Sequence, residues 1–150
     1  MHRFDKQELM SVTRSGFSRT RGVRFQEVDA AGIIFYPVLL EYCHDLYVEF
    51  LSAHATALAD VLREGAWAAP IRHAEADYLM PLRFGDEVDV CLARAHLQQS
   101  EVTLGFRIVF HGSKTLAAVA QSVHTFVELP GFKRTDIPQQ LVQAFQTIDS

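Results

Sequence analysis

The residues best suited to chemistry lie in one short stretch, Asp29-Ala30-Ala31-Gly32-Ile33-Ile34-Phe35-Tyr36-Pro37. A carboxylate stands three positions before a glycine. An apolar and aromatic run follows, then a proline that opens a strongly predicted helix. The first turn of a helix leaves backbone N–H groups unpaired and carries partial positive charge. A carbonyl oxygen set against those amides is polarised, as an oxyanion hole requires. Gly32 permits a positive φ or a close backbone approach. Asp29, seven residues before Tyr36, faces the same point if the loop bends. An acid beside electrophile-binding amides is half of an acyl-transfer site. Asp-x-x-Gly also suits an ordinary turn, because Asp caps turns through its own side chain. The spacing leaves both readings open.

The elements that must hold this stretch follow from periodicity. Residues 21–28 alternate, with Val23 and Phe25 against Arg24 and Gln26, and read as a first strand. From Val38, the residues Leu39, Tyr42, Cys43, Leu46, Tyr47 and Phe50 form an apolar stripe at helical spacing, broad enough to lie on a sheet. Pro37 suits the first helical position. A short helix is predicted over about 54–63, closed by Gly65. Strands are predicted over about 68–81 and in the segments that begin at Phe84, Ser100 and Thr115. Val102, Leu104, Phe106, Ile108 and Phe110 share one face. A last helix covers about 138–147. The order predicts an α+β architecture, four late strands in a meander wrapped around one long helix. Its exposed edges predict a dimer that continues the sheet.

Composition narrows the class. A chain of 150 residues, 49% apolar and 21% charged, suits one globular domain. We read 1–18 as a partly ordered lead-in without a secretory signal and 19–150 as the domain. A net charge of −4 argues against a nucleic-acid surface. No apolar run reaches the length of a membrane span. Cys43 and Cys91 form no CxxC and no Cys/His cluster, so they read as buried thiols of a cytoplasmic protein, with neither disulfide nor metal site.

The stretch RFQEVDAAGIIFYPVLLEYCHDLY, with the element order, resembles the opening of hotdog-fold thioesterases of the 4-hydroxybenzoyl-CoA thioesterase family. LLEYCHDLY and PIRHAEADYLMPLRFGD look closest to its 1,4-dihydroxy-2-naphthoyl-CoA thioesterase branch. The resemblance covers about residues 20–128. It implies hydrolysis of an aromatic acyl-CoA without cofactor or metal, in a homodimer or a homotetramer built as a dimer of dimers. It implies Asp29 as the catalytic carboxylate, nucleophile or general base, and the Tyr36 N–H as the group that polarises the thioester carbonyl. Gly32, Ile33 and Phe35 would line the acyl group. His44 matches a position that contacts a ring hydroxyl in the hydroxybenzoyl branch, and packing at a dimer seam is an equal reading. His73 matches a strand position near the site.

The turn that carries phosphate-binding cations in the hydroxybenzoyl branch is here Gln98-Gln99-Ser100. With no cation in that turn, nucleotide contacts must come from elsewhere or be weaker; Ser100 is a candidate substrate contact, and Arg72, Arg83, Arg94, Arg107 and Lys114 are the candidate cations. Glu41, on the helix, lacks the His-Gly-Gly loop of a second hotdog thioesterase group and reads as a solvated acid. A short-chain aliphatic or acyl-carrier-protein thioesterase, or a non-catalytic acyl-thioester-binding module, are the competing functions.

Overall fold

The structure, a computed structural model, describes residues 1–14, 16–55 and 57–149. Its helices are α1 (Lys6–Ser11), α2 (Val38–His54), α3 (Leu58–Glu64) and α4 (Gln139–Gln146). Its strands are β1 (Phe17–Gly22), β2 (Trp67–Ala68), β3 (Ile71–Tyr78), β4 (Glu87–Leu97), β5 (Glu101–Phe110), β6 (Leu116–Thr125), β7 (Val127–Glu128) and β8 (Lys133–Arg134). The main sheet runs β1-β4-β5-β6-β3, antiparallel throughout, and β2-β7-β8 form a small second sheet.

α2 is the predicted long helix, and Leu39, Tyr42, Cys43, Leu46, Tyr47 and Phe50 are all buried. Burying one large apolar side chain is worth ~1.5–3 kcal/mol, so this stripe fixes the helix to the sheet. The opposing layer includes Val102, Leu104, Phe106 and Ile108 of β5, on one face as the alternation predicts. Pro37 is the N-cap, one residue earlier than expected, and its carbonyl accepts from Leu40 and Glu41. Register shifts at 71/73 in β3, at 92/94 in β4 and at 108/109 in the β5–β6 pairing bend the sheet around α2. Gly65 closes α3 in the left-handed region, φ 65°.

Three expectations change. The first strand is Phe17–Gly22, not 21–28, and it begins inside the expected lead-in. Past Val23 the chain enters a 3-10 turn, Phe25–Glu27, because the Arg24 N–H donates to Glu27 Oε1 at 2.8 Å. Phe25 is 73% exposed, so its place in the alternation was not a core position. The meander holds three strands, β4-β5-β6. β3 crosses to the far edge and pairs with β6, Ile71 opposite His124 and Tyr78 opposite Ala118. The outer edge of β3 has no strand beside it among the described residues.

The N-terminal segment is ordered. Asp5 caps α1 by accepting from the Gln7 N–H at 2.8 Å. Phe4 and Leu9 are buried with Val119 on the sheet face opposite α2. A Cβ at Gly105 would sit 2.5 Å from Leu9 Cδ2, so the missing side chain makes room for the segment. The Arg107 guanidinium donates to the carbonyls of Leu9 and Met10.

Candidate active site

Residues 28–34 fold as a small hairpin in which Val28 pairs with Ile34. Its turn closes with the Asp29 N–H on the Ile33 carbonyl at 3.0 Å and the Gly32 N–H on the Asp29 carbonyl at 2.9 Å. Gly32 has φ 77°, the left-handed region that the turn requires and that a side chain disfavours. Asp29 Oδ1 accepts from the Ala31 N–H at 2.8 Å. Its other oxygen accepts from nothing among the described residues, and the residue is exposed. The turn-capping reading of Asp29 is thus realised through one oxygen, and the second oxygen stays unpaired among the described residues.

The hairpin and the residues after it are anchored by four contacts. The Phe35 N–H donates to the Glu27 carbonyl and the Ile34 N–H to the Leu82 carbonyl, each at 2.8 Å. Ile33 pairs with Arg83. The Tyr36 carbonyl accepts from the Tyr78 hydroxyl at the end of β3. The Tyr36 N–H has no acceptor among the described residues, so one amide at the start of α2 is unpaired there. Phe35 and Tyr36 are exposed beside it.

Under the hairpin lies a buried carboxylate that periodicity did not reveal. Glu27 is 5% exposed. It accepts from the Arg24 N–H and the Tyr42 hydroxyl, each at 2.8 Å. The Arg24 and Arg21 guanidinium groups stand 3.3 and 3.5 Å from its Oε2. Burial pushes this carboxyl up, but its hydrogen bonds and Arg24 outweigh that and hold it below its ordinary range. Burial, with Glu27 beside it, pushes the Tyr42 phenol up. The hairpin therefore rests on a fixed charge. The signal in the sequence was the Arg24/Glu27 spacing, which closes one turn.

The other predicted site residues separate. Gly32, Ile33 and Phe35 share the hairpin and helix start with Asp29 and Tyr36. His44 is exposed on α2, edge-on to Tyr47 at 5.7 Å. It lines two small cavities with Tyr47. His73 is turned to the sheet face opposite α2, where its Nε2 lies 2.9 Å from Glu75 Oε2. The shift between Ile71 and His73 puts it there, so the structure does not bring it to the helix start. Ser100 lies in the β4–β5 turn, its carbonyl accepting from the Phe126 N–H. That turn is at the end of the sheet opposite the Tyr36–Tyr78 contact, so within one chain Ser100 and Asp29 do not meet. Glu41 is exposed.

The cations divide in the same way. Arg72 pairs with Glu101, and Arg94 with Glu8 and Asp149. Arg107 is occupied by α1. Arg83, next to Ile33, and Lys114 make no ion pair among the described residues. No group of three or more His, Cys, Asp or Glu among those residues could hold a metal ion. None of their helices is long and apolar enough to cross a membrane.

Residues 23–145 match the model of the Thioesterase-like superfamily, and the chain belongs to that superfamily. It is 28% identical over 131 residues to the 1,4-dihydroxy-2-naphthoyl-CoA hydrolase of Nostoc punctiforme, covering 87% of each chain. It is 31% identical over 121 residues to the hydrolase of the same name from Thermosynechococcus vestitus, covering 81% of this chain and 82% of that one. The crystal structure of a 1,4-dihydroxy-2-naphthoyl-CoA thioesterase from Synechocystis superimposes with a TM-score of 0.82 at 28% identity, over 87% of this chain and 95% of that one. The architecture is the hotdog fold, and the chain is a thioester hydrolase.

Proposed function

We propose that the protein hydrolyses an aromatic acyl-CoA thioester of the hydroxybenzoyl or dihydroxynaphthoyl type, with Asp29 as its catalytic carboxylate. One observation carries this reading: an outward carboxylate oxygen and an unpaired Tyr36 amide share one rigid hairpin and helix start. The thioester carbonyl oxygen accepts from the Tyr36 N–H, where the helix end stabilises the charge that develops. As a base, Asp29 takes a proton from water, whose oxygen attacks the carbonyl carbon. As a nucleophile, its oxygen attacks directly and forms a mixed anhydride, which water then opens. In the first route the tetrahedral intermediate expels the CoA thiolate and leaves the free acid; in the second it expels the thiolate and leaves the anhydride, whose hydrolysis frees the acid and restores the Asp29 carboxylate.

Gly32, Ile33, Phe35 and His44 would line the acyl group, and Arg83 offers a cation to the CoA phosphates. The aromatic preference is supported by the substrates in the relatives' names and by Tyr47 and Trp67 beside the cavities under α2. Ile71, Tyr78 and Met80, exposed along or just after the open β3 edge, support a homodimer that pairs two β3 strands. Ser100 would then serve a site shared between copies, and His73, on the face opposite α2, would lie outside it. The free cysteines, both buried, suit a cytoplasmic protein.

The experiment is release of CoA thiol from 1,4-dihydroxy-2-naphthoyl-, 4-hydroxybenzoyl- and hexanoyl-CoA. We expect the aromatic substrates to be faster, and Asp29→Asn to lose at least ~100-fold in kcat. Equal activity of wild type and Asp29→Asn refutes the role of Asp29. Single turnover in oxygen-18 water separates the two routes, because only an anhydride can leave label in the Asp29 carboxylate.

A further inference from the structure

Ser122, His124 and Tyr47 form a polar cluster under α2 that the chemistry at Asp29 does not use. His124 is 2% exposed. Its Nε2 lies 3.0 Å from Ser122 Oγ, and its ring packs on Tyr47 at 4.5 Å. Its Nδ1 is buried and makes no well-formed hydrogen bond among the described residues, although the ring also has a weak polar contact with the Ala69 backbone. Leaving a buried polar atom without a good partner is unfavourable, so this nitrogen offers a place for a polar group to bind.

The space around it is divided. A nook of about 30 Å³, lined by Leu40, His44, Tyr47, Ser122 and His124 among others, has room for a group the size of a water or a hydroxyl. A larger cavity of about 180 Å³ shares His44 and Tyr47 with it and is walled by Leu58, Val61 and Trp67. A flat apolar ring suits the larger space, and a polar substituent suits the nook.

The chemistry of the pair fits a hydroxyl. Burial holds the His124 imidazole down to about 4, the nearby Ala69 backbone opposing this only in part, so the ring is neutral at pH 7. A neutral imidazole has one donor and one acceptor nitrogen. The Ser122 hydroxyl can donate to Nε2 or accept from it, so Nδ1 can present a lone pair or a proton. A phenolic hydroxyl answers either state, and a hydrocarbon answers neither.

Symmetry says where the ring comes from. Ile71 and His124 face each other at one end of β3. Tyr78, which holds the Tyr36 carbonyl, is at the other end. Two β3 edges paired antiparallel about a twofold axis exchange those ends. The helix start of one copy is then beside the His124 end of the other.

We infer, resting on the thioesterase reading above, that the Ser122–His124 pair of one copy recognises a hydroxyl on the aromatic acyl group held at Asp29 and Tyr36 of the other copy. His124 determines specificity, and Ser122 positions its ring.

The test compares kcat/KM for 1,4-dihydroxy-2-naphthoyl-CoA with that for 2-naphthoyl-CoA. The ratio between the two is the readout, because a merely structural change lowers both. His124→Gln keeps an atom near Nε2 and removes Nδ1. It is expected to lower the ratio at least ~10-fold, about 1.4 kcal/mol of discrimination. Ser122→Ala is expected to lower it as well, and Ser122→Thr to restore it. A ratio within twofold of wild type in His124→Gln and Ser122→Ala overturns the inference.

Calorimetry with the free acids, 1,4-dihydroxy-2-naphthoate and 2-naphthoate, reads the same discrimination without hydrolysis. It decides the matter even if the wild type cleaves neither thioester. Mixed dimers of Asp29→Asn and His124→Gln chains test the crossing. Each contains one site with an intact Asp29 and an intact His124 only if these come from different copies. The wild-type ratio reappearing in the mixture supports the arrangement, and the His124→Gln ratio alone refutes it.

Discussion

Protonating His124 should cost the folded protein stability. The ring is buried against Tyr47 and Ser122, and burial lowers its pKa from 6.5 to about 4. The unfolded chain takes up a proton as pH falls through 6.5, and the folded chain only near 4. Between those values the unfolded state binds more protons, so stability falls as pH falls. The loss begins near pH 6.5 and levels off below about 4. The two values lie about 2.5 pH units apart, and at ~1.4 kcal/mol per unit the full loss is roughly 3 kcal/mol. The charge of His44 acts in the same direction as burial. The assay is urea unfolding at pH 7.5, 6.0, 5.0 and 4.5 for wild type and His124→Gln. Wild type should lose about 2 kcal/mol more than the variant between pH 7.5 and 5.0. Parallel pH profiles for the two proteins would show that His124 is protonated in the fold or reached by water, and would refute the reasoning.

Other perturbations have separate readouts. Tyr42→Phe removes one of the donors to buried Glu27 and should cost ~1–3 kcal/mol in chemical denaturation; an unchanged midpoint would mean that water replaces the hydroxyl. The Glu27 pKa is depressed, so its stabilisation is present above the ordinary carboxylate pKa and fades as pH falls through the folded value; Glu27→Gln should flatten the acid limb of the stability profile. Gly105→Leu would drive a side chain into Leu9 and Phe4, and should expose residues 1–11 to protease while the rest of the chain stays protected. Tyr78→Phe frees the Tyr36 carbonyl, and should lower kcat more than it raises KM.

The quoted stretch was legible because its information is local. Asp29, Gly32, Tyr36 and Pro37 lie within nine positions, and turn and helix chemistry act at that range. The α2 stripe was legible for the same reason, since one period recurs over its whole length and every stripe residue is buried. Alternation misled where no partner strand confirmed it. Val23 and Phe25 look alike in the pattern, yet the first is buried and the second exposed, because the chain turns at Arg24 when Glu27 captures its N–H. Ser122 and His124 are two apart, the spacing of one strand face, but nothing in that spacing told which face meets α2.

The sequence alone determined that one long helix lies on antiparallel strands, and that an acid and a helix-start amide share one loop. Both follow from contacts between residues near each other in the chain. Tertiary structure alone decided the place of β3, because pairing with β4 or β6 satisfies the same alternation. It put His73 on the far face, because one shifted residue after Ile71 reverses the side chains that follow. It buried Glu27 among Arg21, Arg24 and Tyr42, and it left His124 Nδ1 without a well-formed hydrogen bond under α2. A backbone hydrogen bond does not record which side chain it carries, so register across distant strands is settled only when the whole sheet closes on its core.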